Sequence, residues 1–268
     1  MPRAWSPCLS YPEENRLEKP REIGWTMVID KGAPLAETEG LLDAASDFID
    51  LYKFGFGSTA LYKDAFLRRK ISLIKSYGVK PYCGGTLLEI AIMQHKVLPF
   101  LEQLHRYGLD YLEISDGTIP LSLTTRAMLI KSAVNDGFKV ITEVGKKDPS
   151  NQLDAGDILN LIRHDLENGA DKIILEGRES GKNIGIYNAA GIIIQAKLDE
   201  LTGSGNLIQE KLIWEAPLKQ QQEELIRRFG PNINLGNVPL TEVIPLESLR
   251  RGLRSDTLRE KIKGEILY

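Results

Sequence analysis

Short runs of branched and aromatic residues recur along the chain, separated by longer stretches in which apolar residues return every three or four positions. The short runs are closed by Gly, Pro, Asp or Asn and predict strands over 26–30, 50–56, 79–82, 111–115, 139–144, 172–176, 212–215 and 232–235. Between most of them the pattern changes to helical spacing. Leu61, Ala65, Leu67, Ile71 and Ile74 mark one helix over 61–78. Others are predicted over 95–108, 121–137, 154–169 and 220–230, each ending near a glycine that can stop the helix, and over 240–253 after the last strand, with Pro245 in or just before its first turn.

Strands alternating with helices point to parallel βαβ units, whose connections here are long enough for crossovers. The expected fold is α/β, a single (β/α)8 TIM-type barrel, with an open doubly wound sheet as the alternative. No GxGxxG follows the first strand, which argues against a dinucleotide crevice. Residues 1–20 read as an arm or disordered lead-in, 21–258 as the barrel and 259–268 as a tail. The least regular connection is the sixth, 177–206, with a glycine-rich start.

Composition narrows the classes. A chain of 268 residues suits one barrel, and 42% hydrophobic with 26% charged residues is ordinary for a globular enzyme. A net charge of −3 provides no basic field for nucleic acid or an anionic membrane. No apolar run approaches the roughly 20 residues that span a bilayer, and the N-terminus lacks the apolar stretch of a signal peptide. Two cysteines, Cys8 and Cys83, are too few for a disulfide framework or a zinc site. A cytoplasmic protein is expected.

The charges cluster where strands end. A parallel barrel builds its active site at the C-terminal ends of its strands, and there the chain has Lys53, Glu113, Glu143, Lys146, Lys147, Glu176, Arg178 and Glu215. Buried charges must pair, bind a metal or meet a charged ligand. Residues two apart share a face of a strand. Glu143 therefore shares one with Gly145 and Lys147, Glu113 with Ser115, Glu176 with Arg178, and Lys53 with Gly55. Glu113, Glu143 and Glu176 would converge from three consecutive strands, a set suited to Mg²⁺. Lys147 is the candidate proton donor. Lys53 and Arg178 are candidates for an anionic substrate, with the backbone near Gly236 and Asn237 as a phosphate site, since the last two strands often supply one. The bland reading is a rim of structural salt bridges.

Other signals are weaker. His95, His105 and His164 fall in helical stretches and read as solvated or capping. HExxH, GxSxG and GxxxxGK[ST] do not occur. The turn FGFGST (54–59) has backbone amides to offer an anion, and the basic SLRRGLRSD (248–256) reads as a solvated helix end.

The stretches TMVIDKGAPL, DLYKFGFGS, YCGGTLLE, EISDGTI, TEVGKK, EGRESGKNIGIYN, WEAPLKQQQ and NLGNVPLTEVIPLESLRRGLRSDT occur in this order. Together they resemble the phosphosulfolactate synthase family over about residues 20–258. The resemblance implies a (β/α)8 barrel that adds sulfite to phosphoenolpyruvate with Mg²⁺, forming (2R)-phospho-3-sulfolactate. In methanogens this reaction opens a route to coenzyme M, and in some bacteria it serves sulfolactate formation. Lys147, the second lysine of EVGKK, matches the family's catalytic lysine. Two readings from other classes stand beside this one: another Mg²⁺-dependent barrel lyase acting on a phosphorylated carboxylate, and a non-catalytic, stress-associated relative. A homo-oligomer is expected, with Trp5 and Tyr11 of the arm as the residues offered to a neighbour.

Overall fold

The computed structural model describes residues 3–203 and 206–262. Its strands are β1 (Thr26–Asp30), β2 (Leu51–Phe54), β3 (Lys80–Cys83), β4 (Tyr111–Ile114), β5 (Lys139–Val144), β6 (Lys172–Leu175), β7 (Leu212–Glu215) and β8 (Leu235–Pro239). Its helices are α1 (Leu35–Ala45), α2 (Asp64–Ser76), α3 (Thr86–Met93), α4 (Val97–Tyr107), α5 (Leu123–Asn135), α6 (Ala155–Glu167), α7 (Gln195–Thr202), α8 (Asn206–Lys211), α9 (Lys219–Phe229), α10 (Val243–Arg250) and α11 (Ser255–Ile262). The strands form one parallel sheet in the order β3-β2-β1-β8-β7-β6-β5-β4. Its edges, β3 and β4, lie side by side and nearly close the barrel. At the top of that seam the Gly85 amide donates to Glu113 Oε1 at 2.5 Å, so a side chain bridges where no ladder runs.

Period-two alternation divides the apolar residues between two cores. Trp25, Met27, Leu51, Tyr82, Tyr111, Ile141, Ile174 and Ile213 pack together inside the barrel. The alternate positions, such as Val28, Tyr52, Ile114, Val140, Ile173 and Trp214, join the helix faces in a larger outer core. The inner set fills the lower barrel with side chains, so the next inward position on each strand lies at the upper opening.

The expected strands fall within a residue or two of those observed, except the eighth. It begins at Leu235 rather than 232, and it contains the Gly236-Asn237 pair that reads as a stop signal. Thr26 pairs with Leu235 but Val28 pairs with Val238, so β8 carries one extra residue, a bulge. Asn237 takes the left-handed conformation, φ 51°. A Cβ on Gly236 would lie 2.6 Å from Met27 Cε, so the inner core reaches this strand only if it has no side chain here. The preceding Asn234 is structural: its Oδ1 accepts from the Trp25 amide and its Nδ2 donates to the carbonyls of Glu210 and Leu212. Helices α1 and α3 were not singled out by periodicity, and His95 sits with positive φ in the turn between α3 and α4, not in a helix.

The arm is docked on the molecule. Arg16 is buried against Glu247 and donates to the Gly24 carbonyl. Lys19 donates to the carbonyls of Ser46, Ile49 and Gly78. The basic stretch 248–256 is not a solvated helix end. Arg251 pairs with Glu247 and Glu18, and buried Arg250 donates to the carbonyls of Pro231, Ile233 and Trp25. Of the expected tail, 259–262 continue α11 and 263–268 lie outside the described residues. No helix among the described residues is long and apolar enough to cross a membrane.

Candidate active site

Above the inner core the strands deliver charge. Lys53 from β2, Glu113 from β4, Glu143 from β5 and Glu215 from β7 occupy inward positions at or near their strand ends, and Glu176 follows β6 directly. All five are buried. They line a cavity of about 380 Å³ at the C-terminal mouth, together with Lys147, Arg178 and Asn237. That size suits a small metabolite.

One ammonium is the hub. Lys53 Nζ lies 3.0 Å from Glu113 Oε2, 3.3 Å from Glu143 Oε2 and 3.3 Å from Glu215 Oε1. The remaining carboxylate oxygens have separate partners. Glu143 Oε1 accepts from Ser115 Oγ at 3.1 Å and meets Lys147 Nζ at 3.3 Å. Glu215 Oε2 accepts from the amides of Gly177 and Arg178 at 2.9 and 3.0 Å. Glu176 Oε1 accepts from the Arg178 amide at 2.7 Å, while its Oε2 is buried without a hydrogen-bond partner. Oxygens of Glu143, Glu176 and Glu215 lie within 4.8 Å of one another.

The chain turns sharply to reach this arrangement. Gly145 has φ +133°, and a Cβ there would sit 2.5 Å from Glu176 Cβ. The backbone thus presses against the start of the next loop, and Lys147 returns over the opening to Glu143.

Electrostatics follow from burial and proximity. Burial alone would depress the Lys53 ammonium, but Glu113, Glu143 and Glu215 outweigh it and hold it well above the usual lysine range. The same competition around Lys147 is won by Glu143 and Glu176, so it too is raised. Burial pushes Glu143 up, yet Lys53 and Lys147 overcome this and keep it ionised. Glu176 goes the other way: burial, then the charges of Glu143 and Glu215, raise its carboxyl well above the ordinary range. Glu113 and Glu215 are also raised, chiefly by burial.

The structure gathers Lys147, Glu113, Glu143, Glu176, Lys53, Arg178 and Asn237 at one opening, and places Gly236 just below it, against Met27 and Ile213. Two placements differ from the sequence reading. Lys53 is directed at three glutamates rather than left free for an anion. Glu215 stands with Glu143 and Glu176, whereas Glu113 turns to Lys53 and the Gly85 amide. Glu215 closes its strand just as Glu143 nearly closes its own, and that was the signal for it. Sequence reasoning also did not connect Ser115 to Glu143. Gly55 and Phe56 of the 54–59 turn reach the cavity rim. The histidines lie elsewhere, His105 beside Asp136 and His164 beside Asp165.

Comparison with known proteins identifies the family. The profile of the family (2R)-phospho-3-sulfolactate synthase (ComA) matches residues 14–256. The chain is 43% identical over 245 residues to the phosphosulfolactate synthase of Methanothermobacter thermautotrophicus, covering 91% of this chain and 94% of the relative. It is 45% identical over 236 residues to the phosphosulfolactate synthase of Methanocaldococcus jannaschii, covering 87% and 93%. It is 26% identical over 263 residues to the protein HEAT-STRESS-ASSOCIATED 32 of Arabidopsis thaliana, covering 88% and 89%. Among solved structures, 3-hexulose-6-phosphate synthase from Salmonella typhimurium superposes with TM-score 0.53 at 15% identity, over 90% of this chain and 100% of that one, a likeness of fold. With the family profile spanning nearly the whole barrel and identities above 40% to two synthases, the chain belongs to the (2R)-phospho-3-sulfolactate synthase family.

Proposed function

We propose that this protein adds sulfite to phosphoenolpyruvate to form (2R)-phospho-3-sulfolactate, with Mg²⁺ as cofactor and Lys147 as the general acid. The observation that carries the proposal is the meeting of Lys147 Nζ with Glu143, the carboxylate that also stands beside Glu176 and Glu215. An acid and a set of cation ligands thus share one opening.

The donor set fits a hard divalent cation. Three carboxylates offer oxygens within 4.8 Å of one another, and Glu176 Oε2 is buried with nothing to accept from. Glu143, Glu176 and Glu215 would hold Mg²⁺, with Glu113 beside them. When bound, the cation supplies Lewis-acid stabilisation of negative charge on the substrate carboxylate.

The chain's own residues do the rest. Sulfur bonds to C3 as the C2–C3 π pair moves toward C2, and Lys147 Nζ delivers the proton that completes C2 from one face, setting the R configuration. Acid assistance of this kind is worth ~10²–10⁴-fold. Lys53 offsets the repulsion among Glu113, Glu143 and Glu215, which keeps the acids together under an anionic substrate. Arg178 and the backbone at the β8 bulge, near Asn237, bind the phosphate or sulfite. The raised Lys147 remains an ammonium at neutral pH, as a proton donor requires.

Incubation with phosphoenolpyruvate, sulfite and Mg²⁺, followed by ³¹P NMR with each component omitted in turn, tests this. Product formation is expected only with all three. Consumption of phosphoenolpyruvate without sulfite would indicate another lyase. Absence of turnover, together with no ligand-induced rise in melting temperature, would indicate a non-catalytic barrel.

A further inference from the structure

Lys146 precedes the acid and does not reach the cavity. Its Nζ donates to Asp116 Oδ2 at 2.7 Å and to the Asp116 carbonyl at 2.8 Å. The other carboxylate oxygen of Asp116 accepts from Arg126 Nη1 at 3.1 Å. Arg126, on α5, is 1% exposed. Its Nε and Nη2 grip Asp165 of α6 at 2.8 and 2.6 Å, and its Nη2 also donates to the Glu143 carbonyl at 3.0 Å. One guanidinium therefore ties the end of β5 to the loop after β4 and to the helix layer.

That loop is the bed on which Lys147 lies. A Cβ on Gly117 would be 3.1–3.2 Å from Cγ, Cδ and Cε of Lys147, so the lysine stem runs directly along Gly117. The Lys147 amide donates to the Gly117 carbonyl at 3.4 Å. From the other side, Gln152 Nε2 donates to the Lys146 carbonyl at 2.7 Å while its Oε1 accepts from the Gly185 amide at 2.9 Å.

We propose that Lys146 and Asp116, locked by Arg126, are positioning residues: they fix the loop bearing Gly117 against β5 so that the Lys147 ammonium is held over the substrate C2. The inference rests on the reading of Lys147 as the acid. The quartet Arg126, Asp165, Asp116 and Lys146 is neutral as a whole, and buried or half-buried ion pairs add little net stability over apolar replacements. Their geometric restraint is what the reaction needs, because a displacement of about 1 Å at a reacting group can cost ~10²-fold in rate.

The test compares steady-state kinetics of Lys146→Met, Asp116→Asn, the double variant and Lys146→Arg with the natural protein. Each single variant is expected to lose about 100-fold in kcat while KM for phosphoenolpyruvate stays within about twofold. The double variant should fall no further than the worse single one, since both break one link. Lys146→Arg, which keeps a cation on Asp116, should restore most of the turnover. A rise in KM with kcat retained would make Lys146 a substrate ligand and overturn the proposal. So would a Lys146→Met enzyme with kcat within about threefold of the natural protein, or a loss that tracks only the fraction unfolded. A second readout does not need the reaction: the rate at which an amine-selective reagent labels Lys147 should rise severalfold in Lys146→Met. Unchanged labelling overturns the positioning claim even in a protein without sulfite-dependent turnover, whereas failure of the natural protein alone to make product counts against the assigned reaction.

Discussion

Replacing Lys53 with methionine keeps most of the unbranched stem and removes the ammonium shared by Glu113, Glu143 and Glu215. Its contacts, 3.0, 3.3 and 3.3 Å long, each correspond to roughly 5 kcal/mol of attraction at an effective dielectric of about 20. The gross sum, near 15 kcal/mol by the same estimate, is not the cost. Lys53 is desolvated, and the glutamates can take up protons once it is gone. Removing one partner of a buried ion pair typically costs about 3–5 kcal/mol. At about 2–4 °C per kcal/mol for a protein near this size, the melting temperature should fall by about 6–20 °C. The assay is thermal unfolding followed by circular dichroism, in chelator at pH 7.5. The deficit has a sign in pH. Without the Lys53 charge, burial and mutual repulsion should raise the three carboxyls relative to the natural protein, so the folded variant should bind more protons than its unfolded chain and its stability should fall as pH rises through that window. The deficit should therefore shrink at pH 5, and shrink also with added Mg²⁺, which replaces the lost positive charge. A variant melting within about 2 °C of the natural protein at pH 7.5, less than 1 kcal/mol by the same conversion, would refute the hub role of Lys53.

Glu176→Gln should leave the cation-free protein as stable as before or more so, because burial and then the charges of Glu143 and Glu215 disfavour a carboxylate at this position, and should abolish the Mg²⁺-induced rise in melting temperature. A rise of undiminished size would exclude Glu176 as a ligand. Because burial and the charges of Glu143 and Glu215 raise the Glu176 carboxyl while a cation favours its carboxylate, Mg²⁺ binding should release protons and tighten as pH rises. Calorimetric titration in buffers of different ionisation enthalpy measures that release, and buffer-independent heats would contradict it.

The barrel was legible because each layer of evidence pointed the same way. Short strands closed by turn residues alternate with helical runs, and strand periodicity sets Glu113, Glu143 and Glu176 above Tyr111, Ile141 and Ile174 on one inner face. Partner choice was less legible. Whether Glu113 or Glu215 stands with Glu143 and Glu176 depends on the Gly85 amide reaching across the β3–β4 seam and capturing Glu113. Strand alternation carries no information about that contact. The eighth strand was misplaced because Gly236 and Asn237 carry a turn signature, yet the inner core and the bulge use those properties within a strand. Arg250 looked solvated because its partners are backbone carbonyls at Trp25, Pro231 and Ile233, invisible to any pairing of charged letters.

The central claim is that Lys147 delivers the proton within a site assembled by other groups. Lys147→Ala, assayed for phosphoenolpyruvate binding and for sulfite-dependent product side by side, separates the two. Binding within about threefold of the natural protein with turnover reduced by ~10²-fold or more is the predicted result. Near-normal turnover in that variant would remove Lys147 from the role and contradict the account.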